Sequence, residues 1–140
     1  AFGDDVERID ASASLAETGV DMAVNMTLTY RDGKVASLFC DARVADNREG
    51  AIYGDKGYIM VQNINNCEKI CVYDHSHELL KEISVPAQIS GYEYEVLACM
   101  EAIQKGELEC PQMPHKEIIR MMEVMDEVRA KIGVAYPNEK

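Results

Sequence analysis

The chain has 140 residues, of which 47% are hydrophobic and 28% are charged, and this is the composition of an ordinary globular domain. Its 14 basic and 25 acidic side chains give a net charge of −11, which argues against nucleic acid and anionic membranes as partners. No apolar run approaches the roughly 18 residues of a membrane-spanning helix, and no signal peptide is recognisable. We therefore expect one domain, residues 1–140, that contacts no nucleic acid and no membrane.

The cysteines indicate the compartment. The chain has five, and no CxxC pair occurs among them. A secreted disulfide framework would usually show an even, clustered set. We interpret the five as mostly buried thiols in a reducing environment, and we predict a cytoplasmic protein.

Alternation of apolar and polar side chains predicts β-structure over the first 85 residues. The clearest strand is residues 20–30, and Asp32-Gly33 then predicts a two-residue type I′ hairpin that leads into a strand over residues 34–44. Further strands are predicted at residues 6–15, 49–53, 58–62, 69–73 and 79–85. Strands joined by such short connections form an antiparallel meander.

The hydrophobic period changes to that of helices in the last third of the chain. Ser90 and Glu93 have the spacing of a capping box, which predicts that a helix begins at Ser90, and Gly106 would end it. The predicted apolar stripe of this helix consists of Val96, Leu97, Met100 and Ile103.

A second helix is predicted between Pro114 and Gly133. Its predicted apolar stripe consists of Ile118, Met121, Met122, Met125, Val128 and Ile132. Strands followed by helices indicate an α+β fold, which we expect to be an open, mostly antiparallel sheet of six or seven strands with the two C-terminal helices on one face.

The sequence contains no motif of a self-contained active site. It has no GxG, so no Gly-rich turn could bring backbone amides to a dinucleotide pyrophosphate. Gly54-x-x-Gly57 lies between two predicted strands, and we interpret it as a turn. GK[ST], GxSxG and HExxH are also absent. We therefore assign no catalytic and no cofactor-binding residue to this chain.

His75-Ser76-His77, between Asp74 and Glu78, is the most metal-like cluster. Two imidazoles at i and i+2 could share one face of a strand and bind a metal ion together with nearby carboxylates. The alternative is a solvated polar turn between two strands. We favour the turn and assign no metal ligand, and a small metal-binding sensor built on the two histidines stays open as a further alternative.

Several short segments occur in an order and spacing that resembles one known enzyme family. They are residues 17–21 (ETGVD), 30–36 (YRDGKVA), 52–59 (IYGDKGYI), 91–96 (GYEYEV), 102–106 (AIQKG) and 132–137 (IGVAYP). The set resembles the C-terminal half of the glucose–fructose oxidoreductase, inositol dehydrogenase and MocA family, and within it the dihydrodiol-dehydrogenase-like members. The resemblance extends over essentially the whole chain.

This resemblance implies that the chain is the C-terminal domain of a longer oxidoreductase, in which an N-terminal Rossmann domain of the same chain binds NAD or NADP. The family's Glu-Lys-Pro motif with its catalytic lysine, and its helix with Asp and His or Tyr, would then lie upstream of Ala1. Phe2-Gly3 resembles the residues that close that helix. The chain alone would bind no cofactor and would be inactive.

The resemblance also implies a part of the substrate pocket. Residues 63–66 and 86–92 match segments that approach substrate in the family, and we assign Asn63, Asn65, Asn66 and Tyr92 to the pocket rim. Relatives often carry aromatic residues near the first segment, where this chain has asparagines. The expected reaction of the complete enzyme is hydride transfer between nicotinamide and a sugar-like or diol substrate.

An open sheet face is expected to pair two copies into a homo-oligomer, most simply a dimer. The candidate face carries the polar side of residues 20–30 together with Val35 and Phe39, which is the mixed composition of an ordinary interface. A different class of function is a stand-alone protein-interaction domain that pairs through this face. The coding sequence upstream of Ala1 would distinguish the two.

The missing Gly-rich turn predicts that the 140-residue chain alone does not bind NADH or NADPH. Titration followed by NADH fluorescence and by the melting temperature of the protein should show no saturable binding. A dissociation constant below about 100 µM, near −5.5 kcal/mol, would contradict this prediction.

Overall fold

The structure is a computed structural model and describes residues 5–136. The described residues form two compact units. The first unit contains the residues up to Ala45 and those from Glu109 onward, and the second is Asp46–Leu108. Phe2-Gly3 and Pro137, which contributed to the resemblance, lie outside the described residues.

The α+β class is confirmed, but the expectation of one sheet with six or seven strands is wrong. Within residues 5–136, seven strands form one sheet of three and one of four. The segment between the two sheets explains the division. Asp41 and Asp46 there accept hydrogen bonds from the backbone N–H groups of Arg43 (2.9 Å) and Arg48 (2.8 Å). Such local bonds compete with ladder bonds, and the third strand ends at Asp41.

The first sheet has the order β1-β2-β3, and all its pairs are antiparallel. Its strands are β1 (Val6–Leu15), β2 (Asp21–Tyr30) and β3 (Val35–Asp41). The register of β1 shifts between Val6 and Arg8, which places a bulge at Glu7. The bulge turns Ile9 toward the same face as Val24.

The β2–β3 hairpin differs from the predicted type I′ turn. Tyr30 N donates to Lys34 O at 2.9 Å, so the loop has three residues rather than two. Gly33 has a φ of 84°, whereas Asp32 has no positive φ as a type I′ turn would require. A three-residue loop with glycine in the left-handed region is the next most common hairpin connection, and the same Asp-Gly pair serves it.

The second sheet is a meander in the order β4-β5-β6-β7. Its strands are β4 (Gly50–Gly54), β5 (Gly57–Gln62), β6 (Lys69–Tyr73) and β7 (Leu79–Ser84). One face is aliphatic, because the register aligns Ile52, Ile59 and Val72 across three strands. The opposite face aligns three tyrosines.

Two helices follow the strands, as predicted. They are α1 (Glu93–Lys105) and α2 (His115–Ile132). Their C-caps Gly106 (φ 69°) and Gly133 (φ 77°) take the left-handed conformation that glycine adopts without strain, so both predicted helix ends are confirmed. Helix α2 packs against β1, whereas α1 belongs to the second unit.

The core of the first unit lies between β1, β2 and α2. Ile9, Val24 and Val128 are each less than a tenth exposed and belong to one hydrophobic cluster. Partly buried side chains that pack against them are Val6, Ala11, Met26, Leu28, Val124 and Ile132. Hydrophobic burial of this kind is the main stabilising force for the unit.

The predicted apolar stripes of the helices are only partly covered. On α2, Val128 and Ile132 reach the core, whereas Ile118, Met121, Met122 and Met125 are exposed. On α1, the four residues of the stripe are at least half exposed, and Ala102 is the buried side chain. Helical spacing identifies an apolar face, but it does not say whether a neighbour within the same 140 residues covers that face.

The substitution Ile9→Ala should destabilise the first unit by about 2–4 kcal/mol, because it leaves a cavity between the sheet and α2. The matched control is Ile119→Ala, at an exposed position of α2 in the same unit, which should change the stability by no more than about 0.5 kcal/mol. Urea unfolding measures both free energies. Equal effects of the two substitutions would contradict the assigned core.

Candidate functional site

The meander topology brings the two predicted rim segments to the same end of the second sheet. One segment connects β5 to β6, and the other follows β7 and leads into α1. Lys69 at the start of β6 pairs with Ser84 at the end of β7. The loop before β6 and the segment after β7 therefore begin side by side, although about 20 residues separate them in sequence.

The β5–β6 loop is held by its own asparagines. Asn63 has a φ of 51°, in the left-handed region that asparagine tolerates better than most residues. Its Nδ2 donates to Glu68 Oε1 at 2.8 Å, and its backbone O accepts a bond from Asn66 N at 2.9 Å. Asn63 Oδ1 is buried and has no hydrogen-bond partner among the described residues. This acceptor is the part of the loop that a water or a ligand hydroxyl could still satisfy.

The carboxylate of Glu93 organises the second segment. Oε1 accepts bonds from the backbone N–H groups of Ile89 and Ser90, both at 2.8 Å, and Oε2 accepts one from Gly91 at 3.0 Å. Hydrogen bonds to the ionised form from the backbone N–H groups of Ser90, of Glu93 itself and of Ile89, together with the Ser90 hydroxyl, lower the pKa of Glu93 from 4.5 to about 2. The predicted capping box is thus shifted: the N-cap is Tyr92 rather than Ser90, and Glu93 bonds to three amides that precede the helix.

The two segments contact each other through small and amide side chains. Gly91 has a φ of 86°, and a Cβ there would lie 3.1 Å from Asn66 Nδ2, so a larger residue would be both strained and crowded. Gln88 Nε2 donates to Asn66 Oδ1 at 3.4 Å, and this bond links the two segments. With the amide reversed, the nitrogen would instead donate to Gly91 O and Glu93 Oε2, both at 3.3 Å.

A cavity of about 350 Å³ lies beside this contact. It is lined by Asn66, Cys67, Glu68, Val85, Pro86, Ala87 and Gln88. Val85 N donates to Glu68 O at 3.0 Å, which joins two residues of the lining. Amide groups that donate and accept in one small cavity suit a ligand that carries hydroxyl groups.

Four residues were assigned to the pocket rim, and two of them, Asn63 and Asn66, have the contacts described above. Asn65 is exposed in the same loop, and Tyr92 is exposed beside α1. The role of all four residues at a substrate pocket stays a prediction. Gln88 and the bond from Ile89 N to Glu93 were not predicted from the sequence. Gly91, two residues before Glu93 at the start of the helix, was the available sign that the carboxylate bonds to the preceding backbone. The usual capping-box spacing indicated Ser90 as the N-cap instead.

The two histidines have separate partners. His75 Nε2 lies 2.5 Å from Asp55 O in the neighbouring turn, and His77 Nδ1 lies 3.2 Å from the hydroxyl of Tyr58. Within residues 5–136, no group of three or more His, Cys, Asp or Glu side chains is placed to hold a metal ion. The interpretation of Gly54-x-x-Gly57 as a turn is confirmed, because it closes the β4–β5 hairpin.

Sequence comparison gives relatives of known activity. The chain is 29% identical over 143 residues to the trans-1,2-dihydrobenzene-1,2-diol dehydrogenase of Homo sapiens, and 30% identical over 147 residues to that of Bos taurus. Each alignment covers 99% of this chain but 43% of the relative. The resemblance to dihydrodiol dehydrogenases is thereby confirmed. The sequence matches no protein-family model.

Solved structures show the same fold within longer oxidoreductases. One is a 3-ketoreductase from Actinomadura kijaniata, solved with TDP-benzene and NADP, which has a TM-score of 0.75 and 19% sequence identity. The matched region covers 94% of this chain and 42% of the ketoreductase chain. Another is the UDP-N-acetylglucosamine 3-dehydrogenase of Acidithiobacillus ferrooxidans, which has a TM-score of 0.71 and also 19% sequence identity. The matched region covers 91% of this chain and 40% of the dehydrogenase chain. The chain thus spans about two-fifths of the length of the proteins that it matches.

Within residues 5–136, neither helix combines the length and the apolar character that crossing a membrane requires.

Acidification should loosen the segment before α1. Because the folded-state pKa of Glu93 is about 2, below its ordinary 4.5, the bonds of its carboxylate stabilise this segment fully above about pH 4.5 and are lost as the pH falls toward 2. Glu93→Gln should remove this pH dependence and speed hydrogen exchange at the amides of Ile89, Ser90 and Gly91.

The matched control is Glu95→Gln, in the same first turn of α1. It removes the same charge from the helix N-terminus without touching those three amides. NMR-detected exchange between pH 2 and 6 measures both variants. The assigned role of Glu93 is refuted if the two variants change the three amides equally.

Proposed function

We propose that this chain is the C-terminal domain of an NAD(P)-dependent oxidoreductase, in which it forms part of the substrate pocket. The observation that carries the proposal is the coverage: dihydrodiol dehydrogenases align with 99% of this chain, yet the chain spans 43% of their length. The remaining part of such an enzyme would supply the nicotinamide and the catalytic groups. The relatives are dehydrogenases, and the solved neighbours are a dehydrogenase and a ketoreductase, which supports an oxidoreductase.

The residues of this chain do not suit a dinucleotide themselves. Binding the pyrophosphate requires closely spaced glycines between a strand and a helix, and the sequence contains no GxG. Within each of the two described sheets, consecutive strands are antiparallel neighbours, and no strand–helix–strand crossover joins them. In our proposal, NAD or NADP is therefore held by a part of the enzyme other than this chain.

The three asparagines of the predicted pocket rim, Asn63, Asn65 and Asn66, support a hydroxylated substrate. Asn63 Oδ1 is an unused buried acceptor, and the amides of Asn66 and Gln88 face each other beside the cavity. A diol or a sugar carries hydroxyl groups that can both donate to and accept from such amides. The relatives are named for a dihydrodiol and one neighbour for a nucleotide sugar, which agrees with a sugar-like or diol substrate here.

We also propose that the chain forms a homo-oligomer, most simply a dimer, through an open sheet face. On the first sheet, Val35 and Phe39 of β3 are each more than half exposed. Thr27 and Thr29 of β2 pair with β3 on the same side. The alternative function, a stand-alone interaction domain, would use the same kind of face and would need no nicotinamide.

The proposed function is tested on the protein made from the complete reading frame. It should reduce NAD⁺ or NADP⁺ with a cyclic diol or a sugar, and Asn66→Ala should raise KM about tenfold with a smaller change in kcat, since a binding contact is lost. Asn47→Ala, in the exposed segment between the two sheets, is the control and should leave KM unchanged. Absence of any nicotinamide-dependent activity would favour the interaction domain.

A further inference from the structure

The described lining of the cavity beside Asn66 and Gln88 contains no aromatic side chain. None of the seven residues given above for this lining is phenylalanine, tyrosine, tryptophan or histidine. A flat unsaturated ring binds best where another ring can stack on its face or meet its edge, and these residues offer no such partner. The cavity therefore has no feature that favours a substrate with an unsaturated ring.

Polar groups in the same lining can pair with several hydroxyl groups. The bond from Gln88 Nε2 to Asn66 Oδ1 uses one of the four N–H donors that the two amides carry. With the Gln88 amide reversed, its nitrogen bonds to Gly91 and Glu93, and its oxygen takes the place beside Asn66. In either orientation the two amides retain donor and acceptor capacity for a ligand. A hydroxyl group both donates and accepts, so it suits this mixture.

The β5–β6 loop adds an acceptor that lacks a partner. Asn63 Oδ1 is buried, and no described group donates a hydrogen bond to it. Asn63 Nδ2 donates at 2.8 Å to Glu68, which belongs to the cavity lining. A buried acceptor without a donor is unfavourable, and a ligand hydroxyl that reaches it would supply the missing bond. The loop thus adds to the preference for hydroxyl groups.

The charge of the lining disfavours an anionic ligand. Glu68 is acidic, and none of the seven lining residues is lysine or arginine. Lys69, the next residue along the chain, forms an ion pair with Glu82 at 3.3 Å. A phosphate or carboxylate group of a ligand would therefore lie near the carboxylate of Glu68 without a basic partner in the lining, in a chain whose net charge is −11. The lining favours a neutral ligand.

Hydrogen bonds hold these polar groups in place before a ligand binds. Val85 N donates to Glu68 O at 3.0 Å, which ties the two sides of the lining together. The carboxylate of Glu93 fixes the following segment through three backbone amides. Groups that are already ordered lose little conformational entropy on binding. They also cannot turn away from a ligand that offers no hydrogen bond, so an unsuitable ligand leaves them unpaired.

We infer that this cavity selects a neutral polyhydroxylated substrate, a free sugar or a cyclic polyol, over a diol on an unsaturated ring and over a phosphorylated sugar. The inference rests on the proposed function and narrows its sugar-like or diol substrate to the first of these classes. The discrimination arises because a C–H group in place of a hydroxyl leaves the amides of Asn66 and Gln88 without partners once water has been displaced. Gln88 is thereby a specificity-determining residue.

The test uses the enzyme made from the complete reading frame and measures reduction of NAD⁺ and NADP⁺ with three groups of substrates. They are aldohexoses together with cyclohexane polyols, cyclohexadiene diols, and hexose phosphates. The best neutral polyol should have a kcat/KM at least about a hundredfold above that of the best compound in either other group. A higher value for a cyclohexadiene diol or a hexose phosphate overturns the inference and leaves the oxidoreductase proposal standing. Oxidation of no compound in any group contradicts the proposed function and the inference together.

A variant tests the role of Gln88 itself. Gln88→Met keeps the length of the side chain and removes its hydrogen-bonding groups. It should lower kcat/KM for the preferred polyol at least about tenfold, mainly through KM, and change that for a cyclohexadiene diol by less than about twofold. Gln104→Met, the same substitution at an exposed position of α1, is the control and should leave both values unchanged.

Calorimetric titration of the preferred polyol into each variant measures the loss of affinity apart from turnover, and thermal melting verifies that each variant folds. Equal losses for the polyol and the diol in Gln88→Met would show that this side chain only supports the fold, and would overturn its assignment as a specificity-determining residue. The comparison of substrates on the wild-type enzyme decides the substrate class without any variant.

Discussion

The contact of one carboxylate with three backbone amides is the constraint on which the candidate site depends. Glu93 bonds to the amides of Ile89, Ser90 and Gly91, and thereby fixes the segment that leads from β7 into α1. With that segment fixed, Gly91 and Gln88 come within contact distance of Asn66. Backbone bonds from Ser90, from Glu93 itself and from Ile89 also lower the pKa of Glu93, so one carboxylate determines both the shape of the rim and its response to acid.

The strand periodicity predicted much of the fold, because side-chain alternation is a local property. All seven strands and both helix ends lie close to their predicted positions. The division into two sheets could not be predicted in this way, since it depends on turns such as that of Asp46 with Arg48, where side chains bond to the backbone. The hairpin at Gly33 shows the same limit: Asp-Gly suits two loop lengths, and the pattern alone does not choose between them.

The site was predicted less completely than the fold. Residues 63–66 and 86–92 were identified from the resemblance, and the register of β6 with β7 explains why they meet. The amide contact of Gln88 with Asn66 depends on side-chain geometry and left no periodic signal. The helices show a related limit: Met100 and Ile103 of α1 form a clear stripe, yet both are at least half exposed. Such exposed apolar surface agrees with the proposal that the chain is part of a longer enzyme.

The central claim, that this chain is the C-terminal domain of a nicotinamide-dependent oxidoreductase, is tested most directly by determining the coding sequence upstream of Ala1. Because the chain spans 43% of its relatives, the account predicts an upstream segment longer than the chain itself. That segment should begin with a strand, a GxGxxG turn and a helix, which together bind a dinucleotide. A start codon directly before Ala1, or an upstream segment without such a turn, would contradict the claim.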